Sequence, residues 1–561
     1  MSTDILPSQP ESDAASSSSR SPLRLVLSGV VVVLVLALIG GVTVAVRGLS
    51  GGGSQPEDVL PGGAFAFAKV DLDPSAGQKI NALRFLRKFP ALRDKVSLDA
   101  DLREALFEGV AEEAGWGELD FDKDVSPWLG SRIAIAAYAP AEGEGSTGSA
   151  SGSASGYAAL PSVPAAAPSA EEFDPEGDYG TDVDGTGDLS PFGGPVPTIV
   201  VALQVTDSGK ARAGLDKLIA ATPDAPDPGV VIQDGYALLA PDQKAAEQAA
   251  KDAEKGVLAA DEEFGSDLAA LGDGVASAWV DMDGVSTLAG LTGFAGAGVF
   301  GLGGIGPGGA GSAGRTAWVL KFDGADALEV RGAVTGAKPV AGSDQKLQGF
   351  AELPEDSVVA FGLAGGDKMV PNVFEQLRAM FDDMGADGPE GGFDEMIADA
   401  ERELGIDLPD DLAVLLGSNL VGSLREGTLR DGEVEIGARV TTDGPRAMAV
   451  VDQLKKAAGG QGEDLPIFSR LTDDGMIVAS SAAQVDRLAA PGELGERDFI
   501  GKALPDLDGS TVALWVDIAG ISSEFFGDDV DENLEPLEGV GMTVRMHEDG
   551  SADYRLRLVT N

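Results

Sequence analysis

Leu60-Pro61-Gly62-Gly63-Ala64-Phe65-Ala66-Phe67, a turn-forming start that runs into an apolar stretch, returns 293 positions later as Leu353-Pro354-Glu355-Asp356-Ser357-Val358-Val359-Ala360. Further matches follow in the same order. Trp116-Gly117 and then Leu129-Gly130-Ser131 return as Leu404-Gly405 and Leu416-Gly417-Ser418. The apolar run Thr198 to Val205 leads to Asp207, and Val434 to Val440 leads to Asp443. Asp234-Gly235-Tyr236 corresponds to Asp474-Gly475-Met476, and Ala278-Trp279-Val280-Asp281 to Leu514-Trp515-Val516-Asp517. Chance rarely yields such a series, so the chain reads as a duplication, with a first α+β repeat over residues 58–340 and a second over 345–561.

The spacing between matched positions falls from 293 at Leu60 to 236 at Trp279, which leaves 57 extra residues in the first repeat. Most of them lie in 141–195, a tract of 55 residues rich in Gly, Ser, Ala and Pro, followed by acidic residues around Glu171 to Asp188. This composition cannot bury enough apolar surface to order itself, so a disordered surface insertion is expected there.

Ile133 to Tyr138 and Thr198 to Val205 are apolar runs of strand length. Lys210 to Ala220 places Ala211, Leu215, Leu218 and Ile219 at helical spacing behind the cap Asp207. Met542 to Met546 and Tyr554 to Val559 flank the turn His547-Glu548-Asp549-Gly550 as a hairpin. The expected fold class is α+β, with mainly antiparallel sheets and helices on one face. The polar segment Lys338 to Gln348, with Pro339, Gly342 and Ser343, implies two separate but contacting domains.

Residues 1–23 are rich in Ser, Pro and Asp and read as a disordered cytoplasmic tail. Leu25 to Val46 then runs for 22 residues without a charge. At about 1.5 Å per residue it spans the hydrocarbon core of a bilayer, so a transmembrane helix over 24–47 is expected. Arg20 and Arg24 precede it and strongly acidic sequence follows, which places the N-terminus in the cytoplasm and the bulk of the chain outside. Residues 48–57, including Gly51-Gly52-Gly53, read as a flexible linker.

Over 561 residues, Asp and Glu outnumber Lys and Arg by 92 to 40, for a formal charge of -52. That charge repels phosphate backbones, and no nucleic-acid partner is expected. With no cysteine and the single histidine His547, thiol nucleophiles, disulfides, Cys/His zinc sites and an N-terminal lipidated cysteine are excluded.

Motifs that point to chemistry fail on context. Gly296 to Gly301 and Gly301 to Gly306 fit the dinucleotide glycine pattern, yet they continue into Pro307-Gly308-Gly309 and a strand rather than a helix. Asp182 and Asp184 before Gly185 resemble a calcium loop, but Gly180 and Pro191 would stand where Asp and Glu are needed. Asp281 and Asp517 each follow a tryptophan at a strand end and are the best-placed carboxylates for acid/base work, although one per repeat points to capping. His547 reads as a solvated turn residue. No catalytic, cofactor-binding or metal-binding residue is assigned, and no cofactor is expected.

The Leu-Pro start of each copy resembles an uncharacterised family of actinobacterial envelope proteins, domain of unknown function 3352. So do the helix ending Phe85-Leu86-Arg87-Lys88-Phe89-Pro90-Ala91-Leu92 and the passage Trp128-Leu129-Gly130-Ser131. The resemblance implies a membrane-anchored protein with no established active site. The expected function is a single-pass, extracytoplasmic, non-enzymatic binding or scaffolding protein of the cell envelope. Its partners would be the lipid bilayer, through Leu25–Val46, and an envelope protein or polymer. The alternative is a carboxylate-dependent hydrolase or processing factor acting on envelope polymers.

Overall fold

The computed structural model describes residues 54–72, 74–90, five positions between 103 and 116, 119–139, 197–222, 227–286, 314–384, 392–427, 434–460, 466–526 and 532–561. The expected transmembrane segment, the insertion 141–195 and the glycine motifs between 296 and 306 lie outside the described residues. Among the described residues no helix is long and apolar enough to cross a membrane.

The first half carries β1 (Ala66–Asp71), β2 (Leu129–Tyr138), β3 (Thr198–Val205), β4 (Gly229–Gln233), β5 (Tyr236–Ala240), β6 (Ala276–Asp281), β7 (Arg315–Asp323) and β8 (Ala327–Thr335). Its helices are α1 (Ala76–Leu86), α2 (Ser208–Ala220), α3 (Gln243–Ala253), α4 (Glu262–Leu271) and the short α5 (Met282–Ser286). The second half carries β9 (Ser357–Ala364), β10 (Asn419–Arg425), β11 (Ile436–Thr441), β12 (Phe468–Leu471), β13 (Gly475–Ala479), β14 (Val512–Asp517), β15 (Leu537–Met546) and β16 (Ala552–Thr560). Its helices are α6 (Gly366–Met384), α7 (Gly392–Leu404), α8 (Asp410–Leu416), α9 (Gly444–Gly460), α10 (Ala482–Ala489), α11 (Asp498–Ala503) and α12 (Ile518–Phe526).

All of these strands join one antiparallel sheet, in the order β12-β13-β11-β10-β9-β14-β15-β16-β8-β7-β6-β1-β2-β3-β5-β4. Read from either outer strand inward, the two halves follow the same path and meet where β8 pairs with β16. The mixed α+β class with a large antiparallel sheet is therefore as the sequence implies. Separate domains are not what the sheet shows, because Ala327 to Val334 pair with Val559 to Ala552 across the seam. The polar segment Lys338 to Gln348 packs onto the second half and is not a free linker. Leu347 donates its amide to Ser510 at 2.8 Å, the Gln348 amide bonds Asn419 Oδ1 at 2.9 Å, and Ser343 is buried.

Helices cover both faces of the sheet, not one. Strand alternation turns Phe67, Tyr236, Leu238 and Trp279 to a face covered by α3 and α4, where Ala249, Ala250 and Phe264 complete one core. The opposite face places Val70, Ala276, Leu320 and Phe322 under α1, and Val230 and Ala237 under α2. In the second half α10 and α11 pack on Ala360, Ile477 and Trp515, while α9 packs on Val440 and Met476 from the other side. The reason is visible in strands such as Ala276-Ser277-Ala278-Trp279, all four buried, which have no polar side to leave in water.

At the seam, Glu329 is 1% exposed and accepts from Arg557 Nη1 at 2.7 Å, with Lys321 Nζ 3.2 Å away. Arg557 also reaches Asp323 at 2.7 Å. From α1's end, Lys88 Nζ donates to Thr560 Oγ1 at 2.8 Å and to the Asn561 carbonyl at 2.6 Å, which ties the first half to the last strand. Gly332 lies opposite Tyr554 in the ladder, and a Cβ there would meet the Tyr554 ring at 2.1 Å. Gly332→Ala should therefore destabilise the protein by about 1–3 kcal/mol through overpacking. In a double-mutant cycle, adding Tyr554→Ala should cost less than its effect in the parent; additive effects in urea unfolding would contradict this contact.

Candidate functional site

A cleft of about 550 Å³ opens where the second Leu-Pro turn meets the loop after α10. Leu353 is fully buried and its carbonyl accepts the Leu494 amide at 3.0 Å; the Glu352 carbonyl accepts the Gly492 amide at 2.9 Å. A Cβ on Gly492 would sit 2.3 Å from the Leu353 carbonyl, so only glycine allows this approach. Ser357 Oγ closes the turn by donating to the Pro354 carbonyl at 2.6 Å. These bonds present Glu355 and Asp356 on one wall, with Arg487 from α10 and Arg497 from the entry to α11 on the other.

Both arginines are already engaged. Arg497 Nη2 donates to Asp517 Oδ2 at 2.6 Å, Nη1 reaches the Glu355 carbonyl at 3.3 Å, and the guanidinium lies 4.3 Å from the Phe499 ring centre. Phe499 in turn stacks on Trp515. Arg487 pairs with Asp356, which also meets Arg425 Nε at 3.4 Å. Arg425 continues to Glu435 Oε2 at 2.7 Å. The hydrogen bond from Arg425 is the main reason the Glu435 carboxyl is held below the usual carboxylate range, with Ser481 adding a second donor. Glu355 and Glu426 stand exposed at the mouth. The arrangement is a charged surface of both signs, in which Arg487 and Arg497 are held by Asp356 and Asp517.

At the matching place in the first half the residues differ. There Gly62 and Gly63 follow the Leu-Pro pair, the Gly62 amide bonds the Gly256 carbonyl at 2.9 Å, and Pro61 bridges to Val257. Asp261, which caps α4, stands where the second half has Arg497.

Asp281 and Asp517 are strand-end caps. Asp281 Oδ1 accepts the Asp283 amide at 3.0 Å, and Asp517 Oδ1 accepts the Gly520 amide at 2.7 Å. Their strands β6 and β14 stand five places apart in the sheet. At about 4.8 Å per strand that is roughly 24 Å, far beyond the 5–10 Å over which two carboxylates share a glycosidic bond. Trp279 and Trp515 are both buried, but only Trp279 finds a partner for its indole, Asp267 at 3.0 Å, which also takes Arg315 and Thr335. His547 contacts Asp553 at 3.0 Å and lines a smaller cleft of about 390 Å³ with Lys346, Asp508 and Arg545. Among the described residues no group of three or more His, Asp or Glu side chains is placed to hold a metal ion. Asp182 and Asp184 lie outside the described residues.

Sequence reading missed the cleft. Arg487, Arg497 and Asp356 are ordinary charged residues in a chain full of them, and only the turn at Leu353-Pro354 marked the neighbourhood. No family model, no curated protein and no solved structure matches this chain.

Because Asp517 is buried, removing its cation should be costly. Arg497→Ala should destabilise the protein by about 3–5 kcal/mol in denaturant unfolding, and Arg497→Lys should recover part of this by keeping the charge. An alanine variant as stable as the parent would show that the pair holds nothing together.

Proposed function

We propose that this protein is a single-pass, membrane-anchored, extracytoplasmic protein of the cell envelope, a member of domain of unknown function 3352, whose duplicated α+β ectodomain binds or scaffolds rather than catalyses. The observation that carries the non-enzymatic reading is the use made of the best carboxylates. Asp281 and Asp517 serve as helix caps on strands five places apart, and Asp517 is also committed to Arg497. The duplication draws support from the strand order, which follows one path in both halves.

The anchor rests on the 22 uncharged residues from Leu25 to Val46, and the orientation on Arg20 and Arg24 before them. The cleft around Arg487 and Arg497 is the favoured place for an envelope protein or polymer to engage, since the first half has Gly62 and Asp261 where the second has Glu355 and Arg497. A surface feature built by residues that differ between two copies of one unit points to a task acquired by one of them.

In this reading, protease added to intact spheroplasts degrades the bulk of the chain and spares only the first two dozen residues with the membrane segment. Protection of the bulk until the membrane is breached would reverse the orientation and remove the extracytoplasmic assignment.

A further inference from the structure

The sheet ends in two outer strands that meet their surroundings differently. β4 closes on β5 through Asp234-Gly235, with Gln233 opposite Tyr236. Alternation from that pair turns the Val230 backbone outward. Both of its groups are taken: the Val230 amide donates to Gln243 Oε1 at 3.1 Å, and its carbonyl accepts from Arg212 Nη1 at 3.3 Å. An incoming strand would have to displace two side chains at Val230, which is how a protein guards a sheet edge, although the outward groups of Ile232 have no hydrogen-bond partner among the described residues.

β12 holds the matching place at the other end, and it is open. The Thr472 amide bonds the Gly475 carbonyl at 3.0 Å and closes the hairpin, so the backbones of Ser469 and Leu471 turn outward. Among the described residues nothing hydrogen-bonds to those outward groups. The positions that would supply guards have changed: Ala482 follows the α10 cap where Gln243 follows the α3 cap, and Met448 stands five residues beyond Asp443 where Arg212 stands five beyond Asp207. The side chains do not repel a neighbour either. Phe468 is 45% and Leu471 47% exposed, and Arg470 is occupied by Asp486 of its own chain.

We propose that β12 is a self-association edge, onto which a second copy of this chain adds its own β12 antiparallel about a two-fold axis. The sequence of the strand selects the register. With Ser469 opposite its own counterpart, Phe468 faces the partner's Arg470, and Ile467 faces the partner's Leu471 on the other side of the sheet. Aromatic meets guanidinium and apolar meets apolar, and both exposed hydrophobic residues are covered. The register centred on Arg470 would instead set Phe468 against Thr472 and Leu471 against Ser469, apolar against polar. This self-complementarity favours a second copy over a strand from another protein, and the inference stands whether or not the chain is membrane-anchored.

A four-residue edge buries far less than the roughly 1,200 Å² of a stable interface, so the contact is weak in dilute solution and is best trapped covalently. The chain contains no cysteine, so Ser469→Cys introduces the only thiol. In the proposed register the two Cα atoms stand about 5.5 Å apart, within disulfide range. Mild oxidation of the full-length Ser469→Cys chain should give a covalent dimer on non-reducing gels. Ile232→Cys, on the β4 edge next to the guarded Val230, should stay monomeric. Adding Leu471→Pro to Ser469→Cys should abolish the dimer, because it removes an outward amide that β13 does not use. A monomeric Ser469→Cys chain, or dimerisation no faster than that of Ile232→Cys, would overturn the proposal; the first result is also what a foreign strand on β12 would give.

Discussion

The ladder between β8 and β16 makes one object of two similar halves, and more than backbone holds it. Glu329, almost without solvent contact, meets Arg557 from the other half, and Arg557 continues to Asp323. A charge taken that far out of water is tolerable only while its partner stays in place, so either side alone would leave a group that destabilises it. Lys88 adds a tie from the first half to Thr560 and Asn561, and Leu558 of the last strand packs into the core beneath α1. The seam therefore couples ion pairing, strand pairing and core packing at one place.

Much of this fold was legible in local pattern. Asp207 caps α2 by accepting from the Gly209 and Lys210 amides, and Thr198 to Val205 form β3 with the expected ends. The final hairpin turns where His547 to Gly550 suggested. What eluded the sequence was every decision made between distant residues. Polarity in Lys338 to Gln348 signalled a spacer, yet Leu347 covers Gly362 and Ser343 is buried, where its hydroxyl donates to the His547 carbonyl and the Leu347 and Gln348 amides find acceptors in the second half. The two-sided helical cover was likewise hidden, since an apolar strand does not say which element will sit on which face.

The candidate site was less readable still. The cleft is made of residues from four separate stretches, Pro354 to Asp356, Glu426, Arg487 to Gly492 and Arg497, and no spacing rule connects them. Its distinctiveness emerges only by setting the two halves side by side. Where the first has Gly62 and Asp261, the second has Glu355 and Arg497, and where the first guards its outer strand with Arg212 and Gln243, the second has Met448 and Ala482. The conserved path of the chain and the changed surface chemistry belong together: packing residues such as Trp279 and Trp515 hold the shared form while the exposed positions around them differ.

Through a continuous sheet the halves form one cooperative body, and calorimetry of Trp279→Ala and Trp515→Ala can show whether they unfold together. Each tryptophan sits in the core of a different half, and truncation of either should cost about 3–5 kcal/mol. One body predicts a single transition in the parent, shifted downward by either substitution. Two resolved transitions, with each substitution moving one and leaving the other in place, would show that the seam does not couple the halves.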